Sequence, residues 1–255
     1  NTVGPNAAYS VIGGGAANAI RDGAQYSFIA SGQQNLISTQ AFHSAIGGGQ
    51  LNQIGNDAYR SFIGGGDHNQ IGPSAYNAFL GGGQNNQIEF NAPFSVLLGG
   101  QNCLIRSNAG WSTVLGGVGS VAGAPFAIAA GHNAKAEHSG SIVLADGQYA
   151  DFASSNANEF AVRAAGGVRF VTGGTGLTVD GWKLTSSGGL LLDAGSVATS
   201  NLQSAAVTSD KIADGTVAAA DLSPALISNT FWRLGGNSGT TPGVNFLGTT
   251  DNQAL

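Results

Sequence analysis

The sequence predicts an all-β fold, a parallel β-solenoid or β-roll with 17-residue coils, on three observations. Gly accounts for 42 of the 255 residues and charged residues for only 9%, a composition that excludes an average globular enzyme. Glycine, alanine and branched apolar residues recur in an unbroken 17-residue register. Each unit contains two short alternating segments separated by glycines, which is too short and too rich in turns for a pair of helices.

The repeat contains two columns of identical residues that we interpret as structural. The glycine column is Gly15, Gly32, Gly49, Gly66, Gly83, Gly100 and Gly117. The asparagine column is Asn18, Asn35, Asn52, Asn69 and Asn86. A coil cannot bury its own apolar positions, but the next coil, about 4.8 Å along the axis, covers them. We expect the glycines to permit positive φ at corners and the asparagines to form a ladder of amide hydrogen bonds between coils.

The first strand of each unit is apolar on both faces. Period-2 alternation places Ser27 and Ile29 on one face and Phe28 on the other. The Phe28 column also contains Val11, Ala45, Phe62, Phe79, Val96 and Thr113. A lone chain would expose this column to water, so we expect a partner to cover it, most economically another copy of the chain.

The chain is predicted to contain four segments. Residues 1–147 form the roll of triple-glycine coils, 148–199 a β-rich connector, 200–230 a neck of short axial helices, and 231–255 the start of a further β-rich module. The abrupt end of the last segment predicts that the natural protein continues beyond it.

The repeats "SVIGGGAANAI", "SAIGGGQLNQI" and "SFIGGGDHNQI" resemble the head repeats of trimeric autotransporter adhesins and related bacterial surface-fibre and phage tail-fibre proteins. The resemblance covers roughly residues 5–147, and the 17-residue unit is longer than the usual unit of that family. It implies a left-handed parallel β-roll in a homotrimer, located outside the cell, at the cell surface or on a virion-like tail appendage.

Charge and composition exclude several partners. The net charge is −5 and the nine basic residues are scattered, so we expect no nucleic acid partner. No apolar run approaches the roughly 18 residues of a membrane helix, which predicts no membrane insertion in this segment. The single cysteine, Cys103, leaves no intrachain disulfide.

The sequence also predicts no catalytic, metal or cofactor site. The carboxylates of the repeats share no column and offer no acid/base pair; they are Asp22, Asp57, Asp67 and Glu89. The four histidines lack the spacing of metal ligands and are expected at the surface; they are His43, His68, His132 and His138. We therefore expect a protein that is not an enzyme.

Aromatic residues form two neighbouring columns that are the candidate binding face. One column contains Phe42, Tyr59 and Tyr76, and the other contains Tyr9, Tyr26, Phe94 and Trp111. Stacked rings of this kind would suit sugar rings of a cell-surface glycan or a protein receptor. The alternative is that the rings pack at a subunit interface or stabilise the stack itself.

These observations favour a structural and adhesive segment of an extracellular trimeric fibre that binds surfaces through exposed columns. The first alternative is the host-recognising part of a phage or contractile-injection tail fibre. The second is a carbohydrate-active solenoid with its site between subunits.

Overall fold

The computed structural model describes residues 1–173, three further strands, and isolated positions between 202 and 241. The chain divides into two compact units, Asn1–Arg169 and Phe170–Leu255. The first unit is a parallel β-solenoid built from two ten-stranded sheets whose strands alternate along the chain. The prediction of an all-β, parallel solenoid of 17-residue coils is confirmed.

We name the two sheets by the character of their outer faces. The strands of the apolar sheet are Val11–Ile12, Phe28–Ile29, Ala45–Ile46, Phe62–Ile63, Phe79–Leu80, Val96–Leu97, Thr113–Val118, Ile128–His132, Ile142–Ala145 and Phe160–Arg163. The strands of the amide sheet are Thr2–Val3, Ala19–Ile20, Leu36–Ile37, Gln53–Ile54, Gln70–Ile71, Gln87–Ile88, Leu104–Ile105, Val121–Ala122, Ala134–Ala136 and Phe152–Ala153. All pairs of neighbouring strands in both sheets are parallel.

The core lies between the two sheets and consists mainly of stacked isoleucines. Ile46 and Ile63 of the apolar sheet and Ile54 and Ile71 of the amide sheet are completely buried. Each β-branched side chain packs on the copies one coil away, which suits the pleated surface of a strand. Small alanines such as Ala58, also completely buried, fill the turn side of the core.

A buried serine ladder joins the coils from within. The Ser44 hydroxyl accepts the backbone N–H of Ser61 at 3.1 Å and donates to the carbonyl of Ala58 at 3.2 Å. The hydroxyl therefore links its own coil to the next one while both of its partners are backbone groups.

A buried asparagine ladder joins the coils on the other sheet. Asn52 Oδ1 accepts the backbone N–H of Asn69 at 3.0 Å. The Asn52 Nδ2 donates to the carbonyls of Gly48 and Gly66, both at 2.9 Å. The expected bonds between amides occur in the first coils, where Asn35 Nδ2 lies 3.1 Å from Asn18 Oδ1. From Asn52 to Asn86 the side chains bond to backbone groups instead.

Left-handed backbone occurs at several corners of each coil. At Gly66 φ is +89°, and a Cβ there would overlap the carbonyl oxygen of Gly83, so the glycine column is required by geometry. The other left-handed corners mostly carry side chains, for example Gln34 at φ +56° and Asp57 at φ +58°. Glycine thus serves one corner, and polar or aromatic residues serve most of the rest.

The final coils change length. Gly117 pairs with Gly131 and Gly131 with Ala145, two equal steps of 14 residues that are shorter than the repeat. The next step runs from Ala145 to Arg163, because the intervening chain leaves the apolar sheet to form a loop and the strand Phe152–Ala153. The sheets therefore continue past residue 147, where the predicted roll stops, to Arg163.

Arg163 clamps that loop onto the solenoid. Its Nε donates to Asp146 Oδ1 at 2.9 Å, and Asp146 Oδ2 accepts the backbone N–H of Ala165 at 2.7 Å. The remaining guanidinium hydrogen bonds go to the carbonyls of Ala150, Gln148 and His132. The N–H of Ala165, followed by the hydrogen bond and charge of Arg163, lowers the pKa of Asp146 below its ordinary value.

The second unit contributes one described sheet. Its three antiparallel strands are Leu177–Val179, Trp182–Leu184 and Leu190–Leu191, within the predicted β-rich connector. The predicted helical neck at 200–230 and the module at 231–255 lie outside the described residues, apart from isolated positions.

Candidate binding face

The outer face of the apolar sheet carries no charged residue in its central column. We call this the apolar column; its members are Val11, Phe28, Ala45, Phe62, Phe79, Val96, Thr113, Ile128, Ile142 and Phe160. Thr113 is the one polar member, and most of the others are β-branched or aromatic. Phe28, Phe62 and Phe79 remain 44%, 39% and 37% exposed in the single chain.

The glycines that follow these strands make room for the phenylalanine rings. The Phe62 ring lies over Gly64, with Cε1 3.6 Å from where a Cβ of Gly64 would stand. The Phe79 ring lies over Gly81 in the same way, at 3.4 Å. Each ring therefore extends over the glycine that follows its strand, and the Phe62 and Phe79 rings stack on each other at 5.5 Å.

The amide sheet presents a different outer face. Its outward positions at Gln53, Gln70 and Gln87 are half-buried amides, and the Gln87 amide donates to that of Gln70 at 3.4 Å. A neighbouring line of single β-bridges adds Gln84 and Gln101, joined at 3.1 Å. Water satisfies such amides well. The same column also contains the apolar residues Leu36 and Leu104.

The seven predicted aromatic residues lie in one continuous line of rings, which we call the ring row. The structure adds His43 and Phe126 to it. Its order along the axis is Tyr9, Tyr26, His43, Phe42, Tyr59, Tyr76, Phe94, Trp111 and Phe126. Six of the eight contacts are parallel stacks with centroids 4.8 to 5.5 Å apart.

The ring row changes column twice without breaking. His43 stacks on Tyr26 at 4.9 Å and meets Phe42 edge to face at 5.6 Å. Further along the axis Tyr76 meets Phe94 edge to face at 5.5 Å. Between these junctions the rings stand one residue earlier in the coil and are half-buried rather than exposed.

We call the column that contains Tyr9, Tyr26, Phe94 and Trp111 the outer column of the ring row. It lies at a left-handed corner of the coil. From Tyr9 to Phe126 every member of this column has φ between 53° and 62°. Bulky side chains are uncommon there because Cβ crowds the backbone, at a cost of about 1–2 kcal/mol per residue. Asn77 and His43 are of the types that adopt this conformation more readily. Leu51 and Asp57 are left-handed at other corners, so this conformation is a general property of the coil backbone.

Stacking determines what the ring row can offer a ligand. Each inner ring, such as Tyr59 between Phe42 and Tyr76, has both faces covered by its neighbours at 4.8 and 4.9 Å. Only ring edges and tyrosine hydroxyls remain for contact along most of the row. Sugars that pack on an aromatic face would find that face occupied, so the stack supports edge contacts instead.

Three polar side chains occupy the outer column where the rings move inward. We call His43, Arg60 and Asn77 the corner trio. The Arg60 guanidinium lies 5.7 Å from the centroid of the Tyr59 ring, whose two faces are covered by Phe42 and Tyr76. Arg60 and His43 are exposed and Asn77 is half-buried. The trio therefore forms a polar patch three coils long within the aromatic row, and we call this patch the window.

No family model matches the chain, and a search of curated proteins finds no match either. In the parts of the chain that the structure describes, no helix is long and apolar enough to cross a membrane.

The remaining polar residues make local contacts. His132 bonds the carbonyl of Gly147 at 3.2 Å, and His138 bonds the buried hydroxyl of Ser154 at 2.9 Å. Both histidines are half-buried, whereas we expected surface positions. Among the described residues, no three His, Cys, Asp or Glu side chains lie close enough together to hold a metal ion.

Cys103 occupies the asparagine column and ends its ladder. Its backbone N–H still donates to Asn86 Oδ1 at 2.9 Å, but its Sγ offers only a weak contact to the Gly117 carbonyl at 3.5 Å. Burial raises the pKa of the Cys103 thiol. This effect is larger than the opposing effect of the nearby backbone hydrogen bonds.

Proposed function

We propose that this chain is a structural and adhesive segment of an extracellular homotrimeric fibre, which acts by binding rather than by catalysis. The observation that carries the proposal is the apolar column, which runs along all ten strands of one sheet without a charge. The solenoid would project and stiffen the fibre, and the ring row would meet the target surface.

The apolar column has the character of a subunit interface. Ten coils at about 4.8 Å per step give it a length of about 43 Å. Monomeric proteins rarely expose a continuous apolar surface of this extent. Centres of homo-oligomer interfaces are depleted in charge and enriched in aromatic residues, as is the Phe28, Phe62 and Phe79 stretch. Closed rotational symmetry allows the same face of each copy to be buried around one axis.

The ring row fits the outside of such an assembly better than its centre. Burying Arg60 in each of three copies without an acidic partner would cost several kcal/mol per site. The apolar column imposes no such cost, since it contains no ionisable side chain. We therefore place the apolar column at the axis and leave the corner trio in contact with solvent.

The interior ladders support the mechanical part of the role. Successive coils of the repeat are joined by strand pairing, the serine ladder and the asparagine ladder, and these bonds run along the solenoid axis. A column held by three parallel sets of hydrogen bonds resists bending and extension. The extracellular setting rests on the resemblance of the repeats to surface-fibre proteins.

The test is the mass of the particle in solution, measured by light scattering on two matched variants. The wild-type chain should have the mass of three 25.4 kDa chains. Phe62→Lys places a charge in the apolar column and should dissociate the assembly while circular dichroism retains its β signal. Gln53→Lys places the same charge on the amide sheet and should leave the mass unchanged. A wild-type mass of one chain would overturn the proposal, as would equal dissociation by both variants.

A further inference from the structure

We propose that the corner trio of His43, Arg60 and Asn77 is a binding site for a carboxylate-bearing glycan. The inference rests on the proposed surface-fibre function and adds the chemical class of its ligand. It depends on hydrogen-bonding groups that the solenoid presents but does not use.

The first step is a cation that forms no ion pair. Within the described part of the chain, ion pairs join His68 to Asp67, Arg106 to Glu137, Lys135 to Asp151 and Arg163 to Asp146. Arg60 takes part in none of them and contacts the Tyr59 ring instead. A guanidinium that forms no ion pair and lies beside a ring whose two faces are covered keeps its planar fork of donors available for a carboxylate, which it matches with two parallel hydrogen bonds.

The second step is unused hydrogen-bonding capacity on both sides of Arg60. His43 and Asn77 occupy the same column one coil away in either direction, so the trio spans about 10 Å. Within the described part of the chain, no side-chain hydrogen bond involves any of the three. An imidazole and an amide next to a guanidinium suit the hydroxyl groups of a sugar that carries an acid.

The third step is the rigidity of the backbone beneath the trio. The N–H of His43 donates to the carbonyl of Gln25 at 2.9 Å, and the N–H groups of Arg60 and Asn77 donate to the carbonyls of the preceding coils at 2.9 and 3.0 Å. All three residues are left-handed, with φ between 53° and 57°. Because the backbone at these three residues is fixed, ligand binding needs little further ordering of the main chain.

The fourth step is the aromatic frame. The rings of Phe42, Tyr59 and Tyr76 form the floor of the window, and the exposed rings of Tyr26 and Phe94 bound it at either end. The edges and hydroxyls of the floor rings complete the site without requiring a free ring face. The window residues include no carboxylate that would repel an acidic ligand.

The probes are oligogalacturonate and its fully methyl-esterified form, which differ only in the free carboxylates. Calorimetric titration of the full chain should show binding of oligogalacturonate and none of the ester. Arg60→Gln should weaken binding about tenfold or more, since it removes a charge-assisted hydrogen-bond pair. Arg21→Gln is the matched control: Arg21 is exposed, forms no ion pair within the described part and lies on another coil, so its loss should change affinity less than about twofold.

Three outcomes would overturn the site: no binding of oligogalacturonate, equal binding of the ester, or equal weakening by the two arginine variants. Dextran sulfate is a further arm, and binding of it without oligogalacturonate would also overturn the carboxylate assignment. Light scattering on the same samples separates this result from the proposed function. A trimer that does not bind contradicts only the site, whereas a monomer contradicts the fibre.

Discussion

Asn52 Oδ1 accepts the backbone N–H of Asn69 at 3.0 Å, so one buried side chain completes the hydrogen bonding of the next coil. The Nδ2 of the same amide donates hydrogen bonds to the carbonyls of Gly48 and Gly66. One asparagine per coil thereby forms hydrogen bonds with three backbone groups, one N–H and two carbonyls.

Asn69→Ala should lower the free energy of unfolding by about 2–3 kcal/mol, because it removes the partner of the N–H of Asn86 and of the Gly65 carbonyl, and one of the two partners of the Gly83 carbonyl. Denaturant titration measures the loss. Gln70→Ala, the adjacent outward residue, should change it by no more than about 0.5 kcal/mol. Similar losses in the two variants would contradict the role of the ladder.

Substitution of two adjacent glycines at the first corner should have different effects on the free energy of unfolding. Gly15→Ala introduces a Cβ at φ +85° that overlaps the Gly32 carbonyl, so we expect a loss of more than about 2 kcal/mol. At Gly14 a Cβ would meet no atom within 4 Å, so Gly14→Ala should be neutral within about 0.5 kcal/mol. Thermal unfolding of both variants checks the difference, and a neutral Gly15→Ala would disprove the close approach.

Acid should loosen the last coil before the rest of the solenoid. The pKa of Asp146 is lowered in the folded chain, so its contribution is present above the ordinary carboxyl pKa of about 3.9 and is lost as pH falls through the lowered value. The pKa of Glu159, lowered by the N–H of Ser155 and then that of Asn156, acts in the same direction. The protection factors of residues 146–165, which compare each exchange rate with the intrinsic rate at the same pH, should therefore fall at low pH.

Asp146→Asn serves as the control for that effect. It removes the titrating group at the Arg163 clamp, so exchange in the clamp should become faster at neutral pH and less dependent on acid. An acid response that is unchanged in this variant would assign it to another group.

Cys103→Asn should stabilise the protein by about 1 kcal/mol, since it restores an amide donor toward the Gly117 carbonyl where the thiol offers a weak one. Chemical denaturation compares it with Cys103→Ala, which should not stabilise. The raised pKa of the buried thiol further predicts slow labelling by thiol reagents in the native state. Rapid native labelling would show that this coil opens.

The 17-residue period was sufficient to predict the solenoid, since strand register in such a fold follows directly from the repeat. The repeat places Gly66 and Asn52 in two columns of identical residues, but the bonding partners of Asn52 depend on carbonyl positions that sequence does not reveal. The loop after Ala145 was missed because its clamp, Arg163, lies on the following strand of the apolar sheet and outside the repeat.

The ring row was only partly predictable. Column spacing identified Phe42 and Tyr26 as members of two separate stacks, but the edge-to-face contact through His43 that joins them is a side-chain geometry. Phe126 was missed because it follows Trp111 in a coil that has already shortened, so it falls out of the register of the repeat. A search that allowed variable coil length would have included it.

The regular pairing of each residue with its counterpart in the next repeat has a consequence for how such a protein can change. Since each coil of the 17-residue repeat forms hydrogen bonds only with its two neighbours, deletion or duplication of one unit removes or adds about 4.8 Å and leaves the pairing of the other coils as it was. The length of the rod is therefore adjustable in single steps without redesign of its core. The solenoid is in this sense a molecular ruler, graduated by its own repeat.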